Sequence, residues 1–365
     1  MLGNQLTAAG CKSRRQRLLD ALKPTSPMVF GDPLNLRWLA GCYVDPFSLG
    51  ADFGALLQVT PDNRATLHYA KRTPPSVKDA LVDELVPVVW YDGKHAANGD
   101  GGHRWSLHDS LEKLGGRMHD SFMDPDSRPV WEALTALRRA KDPDEVDQLK
   151  QCMRAGEAGH AWARAHAKAG MTELDVYNGV FTTVSTAVGH PAIVYGDFRV
   201  SPGSECHGGP PTGQVLKDGD TLILDFSVIL GGYRSDFTNT LVIGGKPTAD
   251  QKRIFELTVQ AMKAGEKLLK AGTPCQAVYD AVNGVFQAAD VADKFTHHAG
   301  HGLGISHPEA PFFVKHSSET LIAGDVVTLE PGLYIDGIGG VRIENNYAIS
   351  ATGYEQLSHH AISLT

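Results

Sequence analysis

The sequence predicts a mixed α/β protein in which a duplicated α/β unit follows a smaller α/β domain. Three observations carry this expectation. The chain has 365 residues, more than one ordinary core requires, which favours two domains. Its first third alternates short apolar runs with helical patterns. Phrases from the middle of the chain then recur near its end. GDTLILDF at 219–226 returns as GDVVTLEP at 324–331, with Gly219, Asp220 and Asp225 each lying 105 residues before Gly324, Asp325 and Glu330.

Taken in order, SRRQR at 13–17 reads as one face of an N-terminal helix. GALLQV and ATLHYA flank the turn TPDNR and read as a hairpin. SVKDALVDELV (76–86) reads as a helix and VPVVWYD (86–92) as a strand. His68, His95, His103, His108 and His119 are scattered through this region and read as surface or hydrogen-bonded side chains, not ligands. MDPDSRP at 123–129 reads as a linker, dividing residues 1–128 from 129–365. A helix start follows at Asp142-Pro143-Asp144-Glu145, with an N-cap acid, Pro at the first helical position and Glu at the third. Val146, Leu149 and Met153 then keep helical spacing, and Trp162 is assigned to the core.

Composition narrows the function classes. A net charge of -8 and a pI near 6.0 argue against a nucleic-acid partner. The five cysteines (Cys11, Cys42, Cys152, Cys206, Cys275) are scattered without a CxxC, which fits free thiols in a reducing compartment. The N-terminal MLGNQLTAAGCKSRR lacks a long apolar region, and the charge-free stretch Val176–Gly196 is broken by polar residues, Gly and Pro. A cytoplasmic protein with no membrane partner is expected.

The repeat extends backwards, since AGMTELDVYNGVF (169–181) resembles AGTPCQAVYDAVNGVF (271–286). Each copy would run helix, cap, helix, connecting segment and a strand ending in an acid, packed about a pseudo-twofold. A hairpin turning at Leu230-Gly231 would set Asp225 opposite Asp236. EPGLYIDGIGGVRIE would likewise set Glu330 opposite Glu344 around Gly337, with GIGG as a turn and not a phosphate loop. Like charges directly opposed destabilise a sheet. Four desolvated carboxylates must take up protons or meet cations. Arg234 and Arg342 each sit two residues from an acid and could form a purely structural network, but two arginines leave four acids under-compensated. Two divalent cations and one neutral imidazole balance them more fully. His301, flanked by glycines in HHAGHGLGISHPEAP, is the first choice, with His297, His298 and His307 as competitors. Tyr233 and Tyr334, beside acid positions, read as packing residues.

With these phrases in place, the sequence resembles the pita-bread metallopeptidases, a family that includes methionine aminopeptidase, aminopeptidase P and Xaa-Pro dipeptidase. LDFSVILGGYRSDFTNT, HHAGHGLG, TLEPGLY and GGVRIEN carry the resemblance, in order, over the C-terminal part of the chain. The layout is similar to the aminopeptidase P and prolidase branch, which has a creatinase-like N-terminal domain. The resemblance implies a pita-bread fold and two divalent metal ions, Mn first, with Co, Zn or Fe as alternatives. Asp236 and Glu344 would bridge them, Asp225 would complete one, and His301 with Glu330 the other. It further implies a catalytic role for Glu330 as proton shuttle, with His207 and His307 facing the substrate. A small peptide with proline after the scissile bond is the implied substrate, and a homodimer the implied assembly.

The chain departs from the family pattern in places. His307 follows His301 by six residues where relatives use seven, and Pro308 precedes Glu309. Ser227 stands for a usual Gly, Asn239 for a usual Arg, and Phe312-Phe313 where prolidases often carry an arginine. These changes keep open a small non-peptide amide as substrate; a binding module that lost catalysis is the third class, disfavoured by the intact ligand positions.

Overall fold

The computed structural model describes residues 4–43, 55–70, 75–88, 117–119 and 124–365. The expectations for His95, His103, His108 and the end of the strand to Asp92 fall outside these residues. The chain divides into two compact units, one from Gln5 to Arg138 and one from Arg139 to Thr365.

The first unit begins with α1 (Ala8–Leu22), capped by the Thr7 hydroxyl, followed by β1 (Met28–Phe30) and α2 (Pro33–Ala40). The basic run on α1 is only partly solvated. Arg14 and Arg15 are buried, and donate to the carbonyls of Trp38 and Leu39 at 2.8 and 2.7 Å. Those carbonyls belong to the last turn of α2 and lack helical partners of their own. The hairpin around TPDNR is present as β2 (Ala55–Val59) against β3 (Ala65–Ala70), with Val59 opposite Ala65. The helix expected over 76–86 is absent. A 3-10 turn at Pro75–Asp79 gives way to β4 (Glu84–Val88), parallel to β3. Pairing with β3 takes Glu84–Val88 as a strand, and Pro87 additionally disfavours helical backbone at Val86. With β5 (Arg117–Met118), the sheet order is β4-β3-β2-β1-β5.

The stretch read as a linker is structured. Asp124 caps a 3-10 turn at Pro125–Ser127 that runs directly into α3 (Arg128–Arg139).

The second unit opens on α4 (Pro143–His166), whose start has both bonds of a capping box between Asp142 and Glu145. Trp162 on this helix is half-buried, not core, and packs over Gly179. The first half continues through α5 (Glu173–Val188), β6 (Ile193–Val200), β7 (Thr221–Leu230), β8 (Tyr233–Arg234) and β9 (Phe237–Val242). The second half repeats the order with α6 (Ala249–Glu266), α7 (Cys275–Ala288), β10 (Gly300–Gly302), β11 (Glu309–Phe313) and β12 (Val326–Leu329). Then come β13 (Gly332–Ile335), β14 (Gly339–Arg342), β15 (Asn345–Ile349) and β16 (Tyr354–Gln356).

The recurring Gly-Asp phrase has a physical cause. Asp220 accepts the N–H of Lys217 and Asp325 that of Ile322, each at 2.8 Å, so each closes the turn that launches an acid-bearing strand. Gly196 and Gly300 are a second equivalent pair. Their φ angles are 150° and 154°, and a Cβ on either would lie 2.2 Å from a carbonyl oxygen, that of Asp225 or Thr328. Only glycine lets the neighbouring strand come this close to the acid strand.

The first hairpin is shifted from the expected register. It closes through Gly231-Gly232, both at positive φ, so Asp225 lies opposite Thr238 and not Asp236. A shift of two residues keeps both acids on the same face while separating them diagonally. The second hairpin has the expected register, Gly332 opposite Arg342 and Leu329 opposite Asn345. Its ladder breaks at Glu330 and Glu344, whose N–H groups turn to the carbonyls of Ala299 and Thr238. The halves are thereby stitched together: Asp236 N–H reaches Asn346 Oδ1, Thr238 reaches Glu344, and Thr240 Oγ1 reaches Arg342 O. Behind them, Gly156 and Gly159 of α4 let Phe237 and Phe226 pack close to the helix. Val278, Val282 and Phe286 of α7 join Leu329, Val341 and Tyr347 in the core of the other half.

Candidate metal centre

His207, Asp225, Asp236, His301, His307 and Glu330 line one cavity of about 310 Å³, and Glu344, outside that lining, meets Asp225 and Asp236. Asp225 comes from the middle of β7, and Asp236 from the break between β8 and β9. Glu330 follows β12, Glu344 lies between β14 and β15, His301 is on β10 and His307 is in the loop after it. One oxygen from each of Asp225, Asp236 and Glu344 lies within 4.8 Å of the others. Two further groups meet the same limit and share members with each other: Asp236, His301 and His307, and His298, His301 and Glu330. The Nε2 of His301 is 3.5 Å from both Asp236 Oδ2 and Glu330 Oε1. His307 Nε2 is 2.6 Å from Asp236 Oδ2. His207 lines the cavity, packs its ring on Tyr334 at 4.2 Å, and has a buried Nε2 without a hydrogen-bond partner among the described residues.

Burial and mutual repulsion set the electrostatics. Burial, then the charges of Asp236, Asp225 and Glu330, push the Glu344 carboxyl well above the usual carboxylate range. Burial likewise pushes Asp225 up to about 7, although the Arg342 guanidinium pulls it down. Burial opposes ionisation of Glu330 and Asp236 too, but their histidine neighbours win. His298 hydrogen-bonds Glu330 and His307 hydrogen-bonds Asp236, holding both carboxyls below their ordinary values. The two imidazoles are raised in return against the effect of burial.

These groups fit a divalent cation better than a purely structural network. Arg342 reaches only one of the four acids, Asp225 at 2.5 Å, and shares itself with Asp197 at 2.8 Å. Arg234 bonds Ser227 Oγ at 3.0 Å and makes no ion pair among the described residues. Glu344 Oε1 is buried with no hydrogen-bond partner among the described residues. A buried carboxylate oxygen left bare costs about 1–3 kcal/mol or more, a cost that a bound cation would remove.

Some members of the site carried no sequence signal. Asp197 and Tyr195 sit on β6 outside any acid phrase and enter through the β6–β7 ladder, in which Asp197 lies opposite Asp225. Ser227, standing for a usual glycine, donates to Asp236 at 3.3 Å. Asn239, standing for a usual arginine, is buried and donates to the Ser363 carbonyl. Phe313 is core, and Phe312 lies opposite His301 in the β10–β11 ladder. Tyr233 is buried with its hydroxyl on Glu145, as a packing residue would be. Tyr334 instead bonds both Arg342 and His297.

Two α/β halves that each carry acids to a shared cavity define the pita-bread fold. The sequence matches Metallopeptidase family M24 over residues 147–351, and the chain belongs to that family. It is similar to an uncharacterized peptidase of Staphylococcus haemolyticus, 29% identical over 236 residues. That match covers 63% of this chain and 66% of the relative, just under two thirds of the relative's length. Among solved structures it resembles an Xaa-Pro dipeptidase from Bacillus anthracis, with a TM-score of 0.77 at 21% identity, covering 97% of this chain and 99% of that one. The dipeptidase PepE from Mycobacterium ulcerans gives 0.74 at 24%, covering 99% and 98%. These likenesses establish the fold. Among the described residues, no helix is long and apolar enough to cross a membrane.

Proposed function

We propose that the chain is a metal-dependent hydrolase that cleaves Xaa-Pro peptide bonds, as a dipeptidase or an aminopeptidase. Two divalent cations would be held by Asp225, Asp236, His301, Glu330 and Glu344, with Asp236 and Glu344 shared between them. The observation that carries this reading is the trio of buried carboxylates, Asp225, Asp236 and Glu344, gathered within 4.8 Å without enough cationic side chains to neutralise them.

Bound cations would supply Lewis-acid polarisation of the scissile carbonyl and a water acidic enough to attack near neutral pH. The chain's own groups would do the rest. Glu330, whose Oε1 faces His298 and His301 at 3.0 and 3.5 Å, would take the proton of the attacking water and pass it to the leaving nitrogen. His307 would donate to the oxygen that gains charge, and His207 would hold the substrate through its unpartnered Nε2. A prolyl amide has no N–H, so the cavity must accept a ring and not a donor. Arg234, facing the cavity without an acid partner among the described residues, suits the free carboxylate of a dipeptide. Manganese is the first expectation for the metal, with Co, Zn or Fe as alternatives, and a cytoplasmic homodimer is the assembly this reading carries.

The test is hydrolysis of Ala-Pro and of longer Xaa-Pro peptides in Mn-containing buffer, alongside metal analysis of protein purified without chelator. Proline release or N-terminal trimming supports the reading. Bound metal with neither activity would turn it toward a non-peptide amide; less than one equivalent of metal would leave a binding module.

A further inference from the structure

We infer that His298 is an additional metal ligand, which makes the cation position beside Glu330 rich in nitrogen and selective for zinc-like ions over manganese. The inference rests on the metal reading above and adds to it a residue outside that ligand set.

His298, His301 and Glu330 each offer one ligand atom within 4.8 Å of the others. His298 Nε2 lies 3.0 Å and His301 Nε2 3.5 Å from the same carboxylate oxygen, Glu330 Oε1. The two rings stand 5.4 Å apart at 67° and do not stack. Donors that share one cation at ~2.0–2.1 Å stand roughly 2.9–3.4 Å apart, from octahedral to tetrahedral arrangements, and the two spacings to Glu330 Oε1 lie close to that range. His301 is oriented for this, since its Nδ1 lies 2.8 Å from the Gly302 carbonyl and leaves Nε2 for the cluster. The His298 side chain is 36% exposed, so a cation arriving from solvent can reach it.

The resulting site is chemically lopsided. Asp225, Asp236 and Glu344 offer only oxygen, the donor that suits Mn or Mg, whereas the position beside Glu330 would set two imidazoles among its carboxylates, and nitrogen donors favour Zn, Fe, Co or Ni. The alternative is a plain hydrogen bond in which His298 donates to Glu330.

The test uses the full chain stripped of metal and titrated separately with Zn(II) and Mn(II) against a competing chelator, with Co(II) absorption as a spectroscopic readout. For His298→Ala the first Zn equivalent should weaken at least ~10-fold and the Co(II) visible bands should shift, while Mn affinity changes by less than ~3-fold. His298→Asp, which swaps nitrogen for oxygen, should move preference toward Mn. Unchanged Zn affinity and Co(II) bands in His298→Ala would leave only the hydrogen bond and overturn the inference. Equal loss of Zn and Mn, or a lower melting temperature of the stripped variant, would make His298 structural and overturn it as well. Wild-type protein that binds neither ion would instead overturn the metal reading of the whole site.

Discussion

The Thr238 hydroxyl donates to Oε2 of Glu344 at 2.7 Å, while Oε1 of the same carboxylate is buried without a partner among the described residues. One half of the second unit thus orients the acid of the other half, whose carboxylate lies within 4.8 Å of Asp225 and Asp236. Replacing Glu344 with Gln keeps the shape and removes the group that could ionise to meet a cation. The metal-free variant should be as stable as wild type or up to ~2 kcal/mol more so at pH 8, and should lose the stabilisation that divalent cations give wild type. Thermal denaturation with chelator and with added Mn or Zn checks both halves. A variant still stabilised by metal would remove Glu344 from the ligand set.

Asp225 sets a pH slope. Its folded-state value, raised to about 7, lies above the unfolded value near 3.8, so the metal-free native state holds a proton that the unfolded chain releases. Its contribution to stability is fully present below the unfolded value and is lost as pH rises through about 7. It amounts to at most ~4 kcal/mol. Urea titrations in chelator at several pH values should show wild type losing stability relative to Asp225→Asn between pH 4 and 7. Parallel curves would contradict this.

His360 works in the opposite sense. It is buried, with Nε2 3.0 Å from the Thr238 carbonyl, and burial lowers it to about 4. Between pH 4 and 6.5 the unfolded chain binds the extra proton, so stability falls as pH is lowered through that window, on the order of 3 kcal/mol. His360→Gln should flatten the acid limb relative to wild type. An unchanged limb would mean that His360 titrates normally.

Lys141 and Glu309 form a buried ion pair, with side chains only 1% and 11% exposed. Glu309 also accepts the Ser306 N–H at 3.2 Å, which anchors the loop carrying His307. Lys141→Met leaves an uncompensated carboxylate and should cost ~3–5 kcal/mol, with much of that recovered in Lys141→Met/Glu309→Leu. If the double variant is as unstable as the single one, the pair is not coupled.

Truncating Arg234 to Met should raise KM for Ala-Pro ~10–100-fold with little change in kcat, and should spare peptides that end in an amide. Equal effects on both substrates would place Arg234 outside carboxylate binding.

Much of this was legible in the sequence because repeated constraints leave repeated residues. The second hairpin was readable because its loop is centred on Gly337 and both of its acids sit at a fixed distance from it. The first was misread by two residues because two adjacent glycines, Gly231 and Gly232, both accept positive φ, and only the observed turn decides which pair closes it. Local periodicity failed at 76–86, where partnership with β3 outweighed the helical spacing. Arg14 and Arg15 looked like surface charge, because their carbonyl partners lie 24 residues away on α2. Asp197 was invisible for a similar reason, since its place beside Arg342 depends on a strand ladder and not on any neighbour in the chain.

The bonds from Asp236, Thr238 and Thr240 to Asn346, Glu344 and Arg342 mean that neither repeat contains a finished site. A polypeptide severed at 246–248 would part Asp225 and Asp236 from Glu344, stranding the all-oxygen group, while His298, His301 and Glu330 stay together on one fragment. Mixing the fragments should restore capture at the all-oxygen group only as they dock, so that uptake there would report reassembly of the severed pieces.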